Sequence, residues 1–199
     1  MLFRSVFAHG GHGYRPGNAA AAGADEVRTL GAAAAALEAD GFPVAVVSAG
    51  STPTMLTAAT GRVTEIRAGT YAYGDRWQWL LGMIAPEDCA AAIAATVVAA
   101  FADRVVLDAG AKSLTKDRAD WIVGHGLIVG YPWLRIERLS DYHAVVPVPT
   151  GAAAPRPGDV VAVVPNHVCP VVDLFDQAVA ILPGGRTEAW SVDARGRSR

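Results

Sequence analysis

The segment Val44-Ala45-Val46-Val47-Ser48-Ala49-Gly50-Ser51-Thr52-Pro53 runs from an apolar stretch directly into a turn. Val44 to Ser48 carries no polar alternation, which is the pattern of a parallel strand covered on both faces. After it, Thr52 is placed to cap a helix whose first position is Pro53. Upstream, Ala24 to Ala39 reads as an alanine-rich helix with Asp25 and Glu26 in its first turn, stopped at Gly41. Met1 to Phe7 before it and Val63 to Ile66 after it read as strands. Strand, helix, strand, helix, strand is the order of a βα barrel or a doubly wound sheet.

Beyond residue 68 the pattern changes. Ala91–Phe101, Arg104–Leu107, Leu127–Val129, Leu134–Arg138, Ala144–Val148, Val160–Val164, Val171–Phe175 and Ala178–Leu182 are short apolar runs separated by Gly, Pro or Asp. They predict an antiparallel β domain, with Gly184-Gly185 as a hairpin turn ahead of Arg186 to Val192. The expected fold is α/β plus all-β, with residues 1–68 as part of a βα (TIM-like) barrel and 69–199 as a β domain. A full eight-stranded barrel takes about 250 residues, so the first part, with roughly three βα units, is either a small domain of its own or the closing part of a barrel whose beginning lies elsewhere.

Hydrophobic residues make up 52% of the chain, charged residues 18%, and the net charge is −2. That composition argues against disorder and against nucleic-acid binding. The longest apolar run, Cys89 to Ala102, is too short to span a bilayer. The first eight residues lack the features of a signal peptide. Cys89 and Cys169 form no disulfide framework, and a cytoplasmic protein without membrane partners is expected.

Several segments can carry chemistry. In Pro165-Asn166-His167-Val168-Cys169-Pro170 an extended backbone puts His167 and Cys169 on one side. Imidazole and thiolate together suit zinc, and two protein ligands leave room for water or substrate. A buried cysteine beside a hydrogen-bonded histidine is the simpler alternative. Gly50-Ser51-Thr52-Pro53, between strand and helix, suits a phosphate or is an ordinary cap. His9-Gly10-Gly11-His12-Gly13-Tyr14 is a glycine-dense loop, and Tyr71 is either a phosphate donor or a packed aromatic. Asp141 and His143 form a weaker acid and base pair.

In order along the chain, His9-Gly-Gly-His12-Gly-Tyr14, Ser48-Ala-Gly50-Ser51-Thr52-Pro53-Thr54, Glu65-Ile-Arg-Ala-Gly69-Thr70-Tyr71, Asp108-Ala-Gly110-Ala-Lys112, Pro165-Asn-His167-Val-Cys169-Pro170 and Ala194-Arg195-Gly196 resemble the C-terminal half of the D-serine dehydratase and D-threonine aldolase family. These are pyridoxal-phosphate enzymes with the alanine-racemase-like fold. The resemblance implies a homodimer with active sites at the interface and zinc on His167 and Cys169. It places the cofactor phosphate at Gly50, Ser51 and Thr52, with Tyr71 nearby and Tyr14 lining the pocket. The cofactor would act as an electron sink for a carbanion. The metal would bind the β-hydroxyl of a D-amino acid for dehydration or retro-aldol cleavage.

Two departures stand out. The family's Schiff-base lysine lies on the first barrel strand, upstream of everything here, and the only lysines are Lys112 and Lys116. Asp141-Tyr142-His143 stands where relatives carry two acidic residues before the histidine. The expectation is a truncated or split lyase for β-hydroxy D-amino acids, inactive unless a missing N-terminal half supplies the lysine. The alternative is a non-catalytic metal-binding or dimerisation module.

Overall fold

The computed structural model describes residues 4–197. The chain forms two compact units, Met1–Ala72 with Gln78–Ala85, and Tyr73–Trp77 with Pro86–Arg199.

In the first unit β1 (Ser5–Phe7), α1 (Ala19–Ala39), β2 (Val46–Ala49), α2 (Met55–Ala58) and β3 (Glu65–Ile66) follow one another. The strands pair in parallel in the order β1-β2-β3. Of the expected span of β1, residues 1–3 lie outside the described residues. One sheet face packs on α1 through Val6, Ala8, Val47, Ala49 and Ile66, with Leu30 and Ala34 from the helix. The alternate residues Ser5, Phe7, Val46, Ser48, Glu65 and Arg67 line a cleft of about 360 Å³ on the other face. There Arg67 Nε donates to Ser48 Oγ at 2.8 Å, and its guanidinium also reaches the Ala8 carbonyl.

Helix α1 starts at Ala19, a turn and more before the expected Ala24, because the alanines at 19–22 are strong helix formers. Asp25 and Glu26 therefore lie past the first turn. Thr52 caps nothing: Ser51 to Thr54 form a turn, the Met55 N–H donates to the Ser51 carbonyl at 2.8 Å, and α2 begins at Met55.

Helix α3 (Arg76–Leu80), not foreseen from the sequence, carries the chain across the boundary between the units. The second unit contains β4 (Ile93–Ala100), β5 (Arg104–Leu107), α4 (Ala111–Leu114), β6 (Leu127–Ile128), β7 (Arg138–Leu139), β8 (Ala144–Pro147), β9 (Val160–Val164), α5 (Val168–Val172), β10 (Gln177–Ile181) and β11 (Thr187–Ser191). Six strands form one antiparallel sheet in the order β6-β9-β4-β5-β8-β7, and β10 pairs with β11. Alternation puts Ala95, Val97, Val105, Leu107, Val146 and Val163 into one core with Ile128 and Ile136. Each large side chain so buried contributes about 1.5–3 kcal/mol. A register shift at Val97–Ala99 bends β4 between its partners β9 and β5. Gly110 is required by close approach, since a Cβ there would lie 2.5 Å from the backbone at Ser140, Asp141 and His143.

Two expected strands are absent. Leu134–Arg138 is irregular apart from its last residue, which opens β7. Val171–Phe175 overlaps α5 instead: the Val168 N–H at the start of that helix donates to the buried Asp75 carboxylate at 3.1 Å. A cap from 93 residues upstream overrides the strand propensity of a valine pair. No helix among the described residues is long and apolar enough to cross a membrane.

Candidate functional site

Pro165 to Pro170 follows directly on the end of β9 and runs into α5 rather than continuing as strand. His167 is extended (φ −132°, ψ 111°) and stands just before α5 without a side-chain cap bond to it, while Cys169 lies inside that helix. The turn before α5 is held by main-chain bonds from Arg76 N–H to the Pro165 carbonyl (3.0 Å) and from Trp77 N–H to the Asn166 carbonyl (3.1 Å). Buried Asn166 accepts from Arg76 Nη1 at 2.8 Å and donates to the Gly124 carbonyl at 2.9 Å. This frame fixes His167 without using its ring.

The imidazole is fixed separately. Nδ1 lies 2.6 Å from the Asp117 carboxylate, and the Trp77 ring meets it edge-on at 5.8 Å. Burial opposes the imidazolium, but hydrogen bonds to Cys169 and Asp117, and then their negative charge, outweigh it and raise the pKa to about 9. A carboxylate on Nδ1 orients the ring, the usual support for a metal-binding histidine. Imidazole and thiol donors fit zinc. No cluster of three or more His, Cys, Asp or Glu suited to a metal occurs among the described residues. A zinc here would have two protein ligands and open positions.

The two thiols differ in kind. Cys169 is exposed, whereas burial, and then the charges of Asp75, Asp88 and Glu87, push the Cys89 thiol up to about 11. At pH 8 a thiol with that pKa is ionised in about one molecule in a thousand. Alkylation of the metal-free protein with iodoacetamide at pH 8 should therefore modify Cys169 well before Cys89. Peptide mapping that found the opposite order would contradict this geometry.

In the first unit, a buried side chain that the sequence reading treated as a helix-terminus charge joins the two segments on which the resemblance places the cofactor. Glu26 is 3% exposed. Its Oε1 accepts the Gly10 N–H at 2.8 Å, and its Oε2 accepts the Thr54 hydroxyl, also at 2.8 Å. Thr54 Oγ1 in turn accepts the Ser51 N–H (2.8 Å) and lies 3.1 Å from Ser51 Oγ. The loop carrying Tyr14 and the turn of Gly50, Ser51 and Thr52 are thus tied through one carboxylate. Gly50 must be glycine: its φ is +74°, and a Cβ would sit 2.9 Å from Ile66.

The donors of that turn are not all available. Ser51 is engaged with Thr54 through its N–H, whereas Thr52 Oγ1 is buried without a partner. A phosphate end fits through Thr52. The two lysines, Lys112 and Lys116, both belong to the second unit, and Lys112 is bonded to Tyr142 (2.9 Å) and Asp141 (3.5 Å). Tyr14 ends a short 3-10 turn with its ring 5.6 Å from that of His9, and Tyr71 is 65% exposed. Asp141 pairs with Lys112, and no bond joins it to the side chain of His143. Asp108 is structural, accepting the Thr96 N–H at 2.6 Å.

Residues 90–181 match the family described as "Putative serine dehydratase domain". An uncharacterised protein of Mycobacterium tuberculosis is 38% identical over 130 residues, 63% of this chain and 98% of that protein. D-threonine aldolase of Arthrobacter sp. is 38% identical over 148 residues, 71% of this chain and 37% of the enzyme. D-threo-3-hydroxyaspartate dehydratase of Delftia sp. is 33% identical over 176 residues, 79% of this chain and 46% of the enzyme. The solved structure of that dehydratase superposes with a TM-score of 0.84 at 29% identity, covering 96% of this chain and 56% of that one. It has also been solved as alanine variants of a histidine and of a cysteine two positions apart, the cysteine variant in a metal-free form.

The fold is that of the C-terminal part of an alanine-racemase-like D-amino-acid enzyme. The chain carries the serine dehydratase domain over residues 90–181 and is similar to D-threonine aldolase and D-threo-3-hydroxyaspartate dehydratase, spanning about half or less of the sequence of these named relatives.

Proposed function

We propose that these 199 residues are the metal-bearing C-terminal half of a lyase for β-hydroxy D-amino acids, completed by a lysine-bearing βα half that closes the barrel. The observation that carries this reading is the Asp117–His167 pair at 2.6 Å with Cys169 beside it. Its His-x-Cys spacing is that of the two residues substituted in the Delftia dehydratase structures. Zinc supplies Lewis acidity toward a substrate hydroxyl, and pyridoxal phosphate supplies an electron sink.

The roles of the chain's own residues follow from their surroundings. His167 and Cys169 hold the metal, Asp117 fixes the imidazole, and the clamp of Asp75, Arg76 and Asn166 keeps the turn in place. Gly50, Ser51 and Thr52 shape the phosphate seat, with Thr52 as the open donor and Tyr14 and Tyr71 at its margins. Nothing in these 199 residues stands in for the lysine, so they do not turn over substrate by themselves.

The purified chain given zinc and pyridoxal phosphate should show no borohydride-reducible absorption band and form no 2-oxo acid from D-serine. Adding the separately expressed N-terminal half of a full-length relative should restore both. Turnover by the chain alone would overturn the proposal. The mycobacterial relative, 98% covered by this chain, favours a second reading, a metal-binding or dimerisation module that works without the other half. That reading expects zinc binding and self-association without any gain of activity on mixing.

A further inference from the structure

Beside the metal-pair frame, and sharing Arg76 with it, lies a basic group of Lys116, Arg118 and His125 that the proposed lyase chemistry does not use. The Val123-Gly124-His125 turn is tied to the frame twice, by Arg76 Nη2 to the Val123 carbonyl at 2.9 Å and by Asn166 Nδ2 to the Gly124 carbonyl at 2.9 Å. His125 follows directly, its main-chain N–H bonded to the Ile136 carbonyl at 3.0 Å. Its ring atom Nδ1 is buried with no hydrogen-bond partner, and so is Nε of Arg76. These are two of the four such side-chain atoms among the described residues, and both flank the same turn.

The surrounding charge has one sign. Burial first, and then the positive charges of Arg118, Lys116 and Arg76, hold the His125 pKa below its ordinary value. None of these three cations is ion-paired among the described residues. Asp117, between Lys116 and Arg118 in the chain, is engaged with His167. Arg118 donates only a long bond, 3.4 Å, to the Ile122 carbonyl. Unpartnered buried polar nitrogens are costly, and a focused positive field lowers the energy of an anion placed among them.

We propose that Arg76, Lys116, Arg118 and His125 form a binding site for one small anionic oxygen group, a carboxylate or a phosphate. Arg76 Nε is a donor waiting for an acceptor. His125 Nδ1 becomes one when its ring takes the corresponding tautomer. Lys116 and Arg118 are exposed and supply the field that draws the anion in. The site lies wholly within the second unit and needs neither pyridoxal phosphate nor the missing lysine. Its test is therefore independent of the lyase reading.

The test is titration calorimetry on the full 199-residue chain with inorganic phosphate in one arm and succinate in the other. Saturable binding is expected in at least one arm, and the preferred arm tells whether the natural group is a phosphate or the carboxylate of a small acid. The Lys116→Gln/Arg118→Gln double variant changes two exposed side chains and should keep the wild-type melting temperature. It should bind about tenfold or more weakly, and the wild-type affinity should fall as salt screens the field. His125→Phe should weaken binding without removing the salt dependence. Absence of saturable binding in both arms, or wild-type affinity in the double variant, would overturn the proposal.

Discussion

Cys169→Ala is expected to take the zinc-loaded chain from about one metal per molecule to almost none, since two protein ligands become one. His167→Ala should do the same. Asp117→Asn should give an intermediate result, because an amide still reaches Nδ1 but brings no charge to strengthen the imidazole donor. Losing such a partner weakens metal binding about 10–100-fold. The ranking is readable by elemental analysis after dialysis and by competition with a chromogenic chelator. The three variants should retain the wild-type circular dichroism, since the turn is held by Asn166, Arg76 and Asp75 rather than by the metal pair. Equal zinc content in wild type and Cys169→Ala would remove the metal from this position.

The second large effect is on stability. Glu26→Ala strips the acceptor from both the Gly10 N–H and the Thr54 hydroxyl at a site only 3% exposed. Each buried donor so abandoned costs about 1–3 kcal/mol. Even at the low end, about 2 kcal/mol for the two donors, the thermal midpoint of the first unit should fall by about 10 °C or more, at about 4–8 °C per kcal/mol for a unit of this size. Glu26→Gln should cost less, because its carbonyl still accepts the Gly10 N–H while Thr54 turns its hydroxyl to accept from the amide. An unchanged midpoint in Glu26→Ala would show that the loop and the turn are held by something else. The same variant should loosen the Ser51–Thr54 turn, so a phosphate seat there would weaken with it.

Much of the fold was legible in local sequence. Val44 to Ser48 reads as a buried parallel strand and β2 occupies Val46–Ala49; the runs Ala91–Phe101, Arg104–Leu107, Ala144–Val148 and Val160–Val164 read as antiparallel strands, and β4, β5, β8 and β9 within them pair as such. These readings hold because side-chain alternation and apolar runs report burial without reference to distant residues. The order of six short motifs likewise identified the family, which the comparisons bear out.

What local sequence misplaced depends on residues far apart in the chain. Val171 to Phe175 looks like strand, yet its first two residues end a helix, Val168–Val172, whose start Asp75 caps from 93 positions away. Glu26 looked like a helix-terminus charge and is a buried link, because Gly10 and Thr54 approach it from 16 and 28 positions away. Asp117 carried no signal at all, and its role exists only because folding brings it to His167 across 50 residues. The sequence alone determined the element types, the family and the residue types able to hold zinc. Tertiary structure alone decided which carboxylate orients the histidine and which hydroxyl of the Ser51–Thr54 turn is buried without a partner. Hydrogen-bond partners are chosen by distance in space, and spacing along a chain records that distance only within one helix or strand.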